Sequence, residues 1–413
     1  MATTKEPWKT DDFWVSPWNF KEEVTRDFRI PPQVKVHDST LRDGVQEPGI
    51  TLDLDGSIRI AEKLAEVGVH RIEIGHGGAS PEEEKTIKEV VKRNLGMEIF
   101  TFCGPRVESV EKAMECGVHG LLIPLFSSEY EIQAVGRPVE AILEGIIEAT
   151  RFAHEKGLYV TLFTIDATRA EESFYFNLVD KVSRDGYYDG MGIADTRGVL
   201  NPQGVFCFVS RLKERINKSV EIHVHNNFGL AVANTISGVL AGSDVIHTTI
   251  NGVGASAGNC PLSEVAVALR VLYGVDTGVK YNKLVELTRL GAELTGRAVP
   301  PMRSLVGDMI YAVEVERIAS LQRMVEQEGK EFNMLGEHPI KPEFVGHAPG
   351  QRVMMGSKAG RANVEIWAEE MNITLTDDEV TGVLAGVKKK AAEVKRLLTR
   401  DEFREIIGQV KDG

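Results

Sequence analysis

The chain is poor in cysteine, with only Cys103, Cys116, Cys207 and Cys260 among 413 residues, and no two of them form a CxxC pair. So few thiols exclude a disulfide framework and favour reduced cysteines in the cytoplasm. No apolar run approaches the ~20 residues that would span a bilayer, and the N-terminus lacks the basic and apolar regions of a secretory signal. We therefore expect a cytoplasmic protein with no membrane partner.

Basic residues are also fewer than acidic ones. The 48 basic side chains are outnumbered by 61 acidic ones, which gives a net charge of −13. A chain this acidic repels phosphate unless a basic face is segregated, so nucleic acid is not expected as a partner. Hydrophobic residues at 42% and charged residues at 26% are typical of a folded globular protein. At ~150 residues per domain, the length suggests two or three domains, or one large barrel with an appendage.

The first 30 residues differ from the rest of the chain. They hold three of its four tryptophans, Trp8, Trp14 and Trp18, interleaved with prolines and charges in no helical period. We interpret residues 1–32 as an arm that packs on the body of the protein or on a neighbouring subunit. An arm that covers a bound ligand is the alternative.

From residue 33 onward, short β-type runs alternate with longer amphipathic stretches. The predicted strands are 34–37, 70–75, 97–103, 120–126, 159–165, 188–194, 220–225 and 244–252. Helical patterns lie between them, at Ile58–Val67, Glu82–Arg93 and Val139–Lys156. Strands separated by helices of this length predict βαβ units with parallel pairing.

Eight such units over ~250 residues predict the α/β fold class, as a (β/α)8 TIM barrel over residues 33–280. An open doubly wound sheet is the competing architecture, but no G-x-G-x-x-G follows the first strand. Residues 281–413 are predicted as C-terminal helical subdomains. Their helical patterns are Asn282–Leu294, Met309–Gly329, Ala362–Met371 and Asp377–Thr399. The last one carries an apolar stripe for packing, at Val380, Val383, Leu384, Val387, Ala391 and Val394.

Polar residues cluster where the predicted strands end, which is where a TIM barrel has its active site. His223 and His225 lie two apart on the seventh strand and therefore point to one face. Alone, this pair fits either a metal site or a buried hydrogen-bonded pair. Asp43 and Asn259, from other strand ends, add a carboxylate and an amide oxygen. The resulting nitrogen and oxygen set suits Mg²⁺, Mn²⁺ or Zn²⁺ acting on a chelating substrate.

Three further polar residues lie near these candidate ligands in the sequence. Arg42 precedes Asp43, so its guanidinium could polarise a carbonyl or stabilise an enolate. Glu73, on the second strand, would be a buried acid without a partner unless it orients Arg42. Thr196 follows the sixth strand and offers a hydroxyl to a substrate carboxylate, whereas the preceding Asp195 fits a helix cap equally well.

In this order the motifs resemble those of the DRE-TIM metallolyases. The matching pieces are LRDG at 41–44, IExG at 72–75, ADTxG at 194–198, HxHN at 223–226, and NGxG with AGN at 251–259. That superfamily includes isopropylmalate, homocitrate and citramalate synthases and hydroxymethylglutaryl-CoA lyase. The sequence motifs after the barrel follow one another in an order similar to that of the synthases.

The resemblance implies a role for each site residue. Asp43, His223, His225 and Asn259 would bind the divalent metal, Arg42 would be the catalytic arginine supported by Glu73, and Gln46 and Thr196 would contact substrate. The implied reaction is a Claisen condensation of an acyl-CoA, such as acetyl-CoA, with a 2-oxo acid. A homodimer is also implied, because the C-terminal helices of such synthases cross to a neighbouring subunit.

Several positions depart from the synthase pattern. No histidine occurs in Val313–Ile318, where the synthases carry a catalytic one, and Asp166 stands where a glutamate is expected after the fifth strand. We predict Asp166 as a catalytic carboxylate. The alternative function is cleavage of a carbon–carbon bond in a 2-hydroxy acid or 3-hydroxyacyl-CoA. Cys260 directly follows Asn259, unlike the lyase cysteine, and is therefore expected to be structural.

Overall fold

The eight predicted strands form a closed parallel barrel in sequential order. The computed structural model describes residues 6–330 and 332–412, so residues 1–5 of the predicted arm lie outside the described residues. The strands are β1 Lys35–Asp38, β2 Arg71–His76, β3 Glu98–Phe102, β4 Gly120–Phe126, β5 Tyr159–Ile165, β6 Gly190–Asp195, β7 Ser219–Val224 and β8 Val245–Thr248. β8 closes the ring on β1, with Lys35 opposite Val245. The predicted (β/α)8 TIM barrel is confirmed.

Helices connect the strands, and five of these connecting helices begin after a side chain that caps the free amide groups. Asp53 accepts a hydrogen bond from the Gly56 N–H, and Ser80 caps the helix that begins at Pro81. The helices up to residue 300 are α1 Glu22–Thr25, α2 Leu54–Val67, α3 Pro81–Lys92, α4 Val107–Glu115, α5 Glu129–Val135, α6 Val139–Glu155, α7 Glu172–Asp185, α8 Pro202–Arg215, α9 Ala231–Leu240, α10 Leu262–Tyr273 and α11 Leu284–Thr295.

The C-terminal region is largely helical, as predicted, but two of its elements differ from expectation. Its elements are β9 Ala312–Val313, α12 Glu316–Gln327, α13 Pro342–Val345, β10 Arg352–Val353, α14 Arg361–Glu370, α15 Asp377–Val394 and α16 Arg400–Asp412. The predicted helix at 309–329 is wrong over its first turns, because β9 pairs there with β10. The predicted helix at 377–399 ends at Val394, since Lys395 adopts a left-handed conformation with φ 54°.

Contact density divides the chain into two compact units. Of the described residues, one unit comprises 6–8 and 16–300, and the other comprises 9–15, 301–330 and 332–412. The domain limits 1–32, 33–280 and 281–413 stay a prediction. In the second unit, the Trp14 N–H donates to the Pro339 carbonyl, so this part of the N-terminal arm packs on the chain itself.

Inside the barrel, alternate residues of each strand point to the axis. Phe100, Leu122, Phe163 and Ala194 form an apolar cluster there, with Ile165 and Phe102 packed against it. β6 contributes glycine where its neighbours are large: a Cβ on Gly192 would lie 2.7 Å from Cδ2 of Phe163. The ring of Phe163 therefore occupies the space that a side chain at Gly192 of β6 would fill.

The second unit has its own apolar core. The stripe predicted on α15 supplies Val380, Val383, Val387 and Ala391 to it, while Leu384 and Val394 pack at its edge. Phe403 and other residues of α16 complete the cluster. None of the described helices combines the length and the apolar character needed to cross a membrane.

Candidate active site

Three side chains of the types that ligate metals meet at the carboxyl end of the barrel. Asp43 lies in the loop after β1, just before a short 3-10 helix at Gly44–Gln46. His223 is on β7, and His225 follows that strand at the next inward position. Asp43 Oδ2 lies 3.1 Å from His223 Nε2 and 3.6 Å from His225 Nε2. The structure therefore brings this predicted carboxylate and both predicted imidazoles together in a buried cluster.

Asn259 lies beside the same cluster. It forms a β-bridge with His225, and its Nδ2 donates to the Val253 carbonyl at 3.2 Å. Its Oδ1 is buried and has no hydrogen-bond partner within the described chain. The loop can follow this path because of Gly254, where φ is +152° and a Cβ would lie only 2.0 Å from Asn259 Nδ2.

The electrostatics of the cluster favour cation binding. Burial opposes ionisation of Asp43, but the Arg42 guanidinium and His223 hold the pKa of its carboxyl well below the ordinary value. Burial lowers the pKa of His223, and burial together with His223 lowers that of His225 to about 4. A carboxylate and two neutral imidazoles are the ligating forms of these groups. Together with the unpartnered Asn259 oxygen, they fit a divalent cation.

His225 is oriented by its second nitrogen. Its Nδ1 faces the Ala255 carbonyl oxygen at 3.2 Å. A proton on Nδ1 donates to that carbonyl and leaves the Nε2 lone pair on the side of Asp43. Such contacts fix the tautomer and ring orientation of metal-binding histidines.

Arg42 is held next to this cluster by Glu73. Arg42 Nε donates to Glu73 Oε1 at 2.7 Å, and Nη1 lies 3.7 Å from Asp43 Oδ2. The rings of Phe102 and Phe163 lie 5.3 and 5.8 Å from its Cζ. Burial opposes ionisation of Glu73, but Arg42 lowers its pKa to about 2. Arg42 Nη2 is buried and has no hydrogen-bond partner among the described residues, so this donor is available to a bound molecule.

Asp166 follows β5 and is buried, and its carboxylate already accepts hydrogen bonds from neighbouring side chains. Its oxygens accept hydrogen bonds from Arg169 Nε at 2.8 Å, Arg169 Nη2 at 2.7 Å and Ser128 Oγ at 2.6 Å. Its own N–H donates to Thr196 Oγ1 at 2.8 Å. The residue adopts a left-handed conformation with φ 55°. This predicted catalytic carboxylate therefore ties together the loops after β4, β5 and β6.

The two predicted substrate contacts lie on different sides of the mouth. Gln46, with Arg42 and Leu41, lines a cavity of about 400 Å³ that extends between the loop after β1 and α3. Thr196 follows β6, and its hydroxyl is the acceptor for Asp166. The alternative role of Asp195 as a helix cap is wrong, because Asn201 caps α8. Asp195 instead accepts hydrogen bonds from the N–H groups of Val199 and Leu200 in its own loop and from the Thr168 hydroxyl.

Below the mouth lies a second polar cluster that the sequence analysis missed. The rings of His37 and His247 stack with centroids 4.2 Å apart and planes within 3°. His247 Nε2 lies 3.0 Å from Glu221 Oε2, and Glu221 Oε1 accepts from Arg71 at 3.0 Å. The inward period of two on β7, which links Glu221 to His223, is the signal that could have revealed it.

This second cluster fits a structural role rather than a cation site. Ligating lone pairs lie in the ring planes, and two parallel stacked rings cannot both direct theirs at one ion. Glu221 is also already paired with Arg71. The cluster therefore places the Arg71–Glu221 ion pair and two stacked imidazole rings beneath the active-site mouth.

A closed (β/α)8 barrel with ligand-type side chains and an arginine at the carboxyl ends of its strands defines a barrel enzyme of the metallolyase type. The HMGL-like family model matches residues 33–290. The chain is 36% identical over 357 residues to the (R)-citramalate synthase of Methanocaldococcus jannaschii, covering 86% of this chain and 70% of that one. It is 31% identical over 400 residues to the homocitrate synthase of Methanothermobacter thermautotrophicus, covering 97% and 98%.

The chain belongs to the HMGL-like family, and it is an enzyme of the DRE-TIM superfamily that its motifs predict. Among solved structures, the hydroxymethylglutaryl-CoA lyase of Bacillus subtilis has a similar fold, with a TM-score of 0.59. It is 20% identical and covers 66% of this chain and 96% of its own. At this identity, the likeness concerns the fold alone.

Proposed function

We propose that this enzyme condenses an acyl-CoA, most simply acetyl-CoA, with a 2-oxo acid to give a 2-hydroxy dicarboxylic acid. The observation that carries the proposal is the convergence of Asp43, His223, His225 and Asn259 beside the Arg42 guanidinium. The relatives named citramalate synthase and homocitrate synthase support it. Over the whole reaction, the acyl methyl group loses a proton and its carbon bonds to the keto carbon, whose oxygen takes up a proton and becomes the hydroxyl group. Water then cleaves the thioester, which gives the new carboxylic acid and free CoA.

The four ligand-type residues would hold Mg²⁺, Mn²⁺ or Zn²⁺. A divalent cation in such a site supplies Lewis-acid polarisation of a chelating 2-oxo acid. The protein contributes the oriented His225 ring, the ionised Asp43 and the unpartnered Asn259 oxygen. These groups come from three separate strand ends, so the barrel itself determines their spacing.

Arg42 is proposed to stabilise negative charge that develops on the keto oxygen or on the enolate. The group is suited to this because Glu73 fixes its Nε edge, while Nη2 remains without a partner in the described chain. Donors that are already oriented need no rearrangement as charge develops. The Phe102 and Phe163 rings, 5.3 and 5.8 Å from Arg42 Cζ, add cation–π contacts that help to hold the guanidinium.

Gln46 and Thr196 are proposed to contact the substrate, one on each side of the mouth. We assign Asp166 a positioning role: its bonds to Arg169 and Ser128 fix the loop after β5 and direct its N–H to Thr196. We also propose a homodimer, in line with the resemblance to the synthases.

The test is CoA release from acetyl-CoA, followed with a thiol reagent against a panel of 2-oxo acids in the presence of each divalent metal. Mass spectrometry of the product distinguishes condensation from simple thioester hydrolysis. We expect release with at least one 2-oxo acid, and loss of release in Asp43→Asn. No release across the panel, together with cleavage of a 2-hydroxy acid or 3-hydroxyacyl-CoA, would replace the synthase proposal with the lyase alternative.

A further inference from the structure

An exposed aromatic ring at the rim of the barrel has two guanidinium groups near it. Tyr130, at the start of α5, is 61% exposed. The Cζ atoms of Arg169 and Arg197 lie 5.6 and 5.7 Å from its ring centroid. Interactions of this kind keep an exposed ring in a defined orientation.

This group lies on the same face of the barrel as the candidate metal ligands. Tyr130, Arg169 and Arg197 belong to the segments that follow β4, β5 and β6, and loops after parallel strands all meet at the carboxyl face. Arg169 contacts Asp166, which in turn bonds Thr196 at the mouth. The ring is therefore on the rim, on the side formed by β4 to β6.

The two guanidiniums are held by neighbours but keep donors free for a ligand. Arg169 pairs with Asp166 at 2.7 Å, and Arg197 pairs with Glu131 at 3.0 Å. About two fifths of each arginine side chain remains exposed, and each guanidinium has five N–H donors. Planar guanidiniums beside an aromatic face match a purine ring that carries phosphates.

We propose that Tyr130, Arg169 and Arg197 bind the nucleotide end of the acyl-CoA, with adenine stacked on Tyr130 and phosphate oxygens on the two guanidiniums. This inference rests on the proposed function, since it places the acyl donor of that reaction. The flexible pantetheine arm would then run from the rim toward Arg42. Phe228, after β7, is 72% exposed but has no guanidinium over its ring in the described part of the chain, so it serves as a comparison.

The direct test is calorimetric binding of CoA to the full chain without any 2-oxo acid. Tyr130→Leu should weaken CoA binding about tenfold, as expected for loss of one stacking contact. Tyr130→Phe, which keeps the ring, should retain the affinity, and Phe228→Leu should leave it unchanged. Arg197→Gln should weaken binding and reduce its dependence on salt, whereas Glu131→Gln should not weaken it.

A kinetic experiment separates this binding site from the chemistry. Tyr130→Leu should raise KM for acetyl-CoA with little change in kcat, and it should not alter turnover of acetyl-N-acetylcysteamine, which lacks the nucleotide. Equal CoA affinity in Tyr130→Leu and the parent protein would overturn the inference, even where condensation is observed. Absence of CoA binding to the parent protein would overturn it too. Weakened CoA binding without condensation of any 2-oxo acid would support it while contradicting the proposed function.

Discussion

Arg42 and Asp43 are adjacent in the sequence but have separable tasks at the mouth of the barrel. The carboxylate of Asp43 faces both histidines, whereas Arg42 is fixed by Glu73 and has one free donor. Loss of a metal ligand and loss of the guanidinium should therefore affect different measurements.

We expect His223→Ala to lose bound divalent metal, because the substitution removes one of the two imidazole ligands. Arg42→Lys should retain the metal, but its kcat should fall about 10²- to 10³-fold. Elemental analysis beside the CoA-release assay checks both. His154→Ala, on the outer helix α6, is the control and should keep metal and activity. A metal-replete His223→Ala protein would count against the site.

The buried carboxyl group of Asp38 predicts how the stability of the protein depends on pH. Burial raises the pKa of this carboxyl from 3.8 to about 7, although the Thr40 N–H partly stabilises the ionised form. Between about pH 4 and about pH 7 the unfolded chain loses this proton while the folded chain keeps it. The contribution of Asp38 to the free energy of unfolding therefore falls as pH rises, by up to about 4 kcal/mol.

Asp38→Asn is neutral throughout this range, so it should become more stable relative to the parent protein as pH increases from 4 to 7. Urea denaturation of both proteins across that range measures the difference. A difference in the free energy of unfolding that stays constant with pH would contradict the assignment.

Among the helices, α15 shows most clearly how a local motif starts an element. The Thr376 hydroxyl accepts from the Glu379 N–H at 3.3 Å, and the Glu379 carboxylate accepts from the Thr376 N–H at 2.6 Å. This capping box satisfies amide groups that would otherwise lack partners. The helix can then present its apolar stripe to the core of the second unit.

Thr376→Ala should lower the free energy of unfolding by about 1 kcal/mol, because it removes the cap. Thr381→Ala changes the same residue type inside the helix, where the side chain only bonds the Asp377 carbonyl, and should have little effect. Urea denaturation and amide exchange over α15 compare the two variants. Equal destabilisation by both would show that the cap is not the cause.

Elements with a strong local pattern were predictable from the sequence, and those set by distant partners were not. The alternation of strands and helices predicted the barrel, and the inward period of two paired His223 with His225. The strand β9 is only two residues long and forms by pairing with β10, which the helical pattern predicted for residues 309–329 does not reveal. Likewise, the hydrogen bonds from Ser128 and Arg169 to Asp166 could not be predicted, because they form between loops that the folded barrel brings together.

At the scale of the whole molecule, several bulky apolar side chains are exposed, including Trp18 at 71% and Met302 at 70%. Singly exposed apolar residues are common on monomers, so the expected oligomeric state depends on the resemblance to the synthases. We expect a homodimer in solution, with a mass by light scattering of twice the 45.5 kDa of the chain. The measurement should be repeated at several concentrations. A mass that stays at one chain at every concentration would contradict the expectation.

The close approach of Gly192 to the Phe163 ring couples two neighbouring strands. An added methyl group at 192 has no room while the ring keeps its position, so a larger residue there requires the ring to move or to be replaced by a smaller side chain. Mutant libraries that vary β6 alone should therefore yield few active variants with alanine at 192. Libraries that pair it with a smaller residue at 163 would open a larger chamber next to His223, and with it a route to enzymes that accept bulkier molecules.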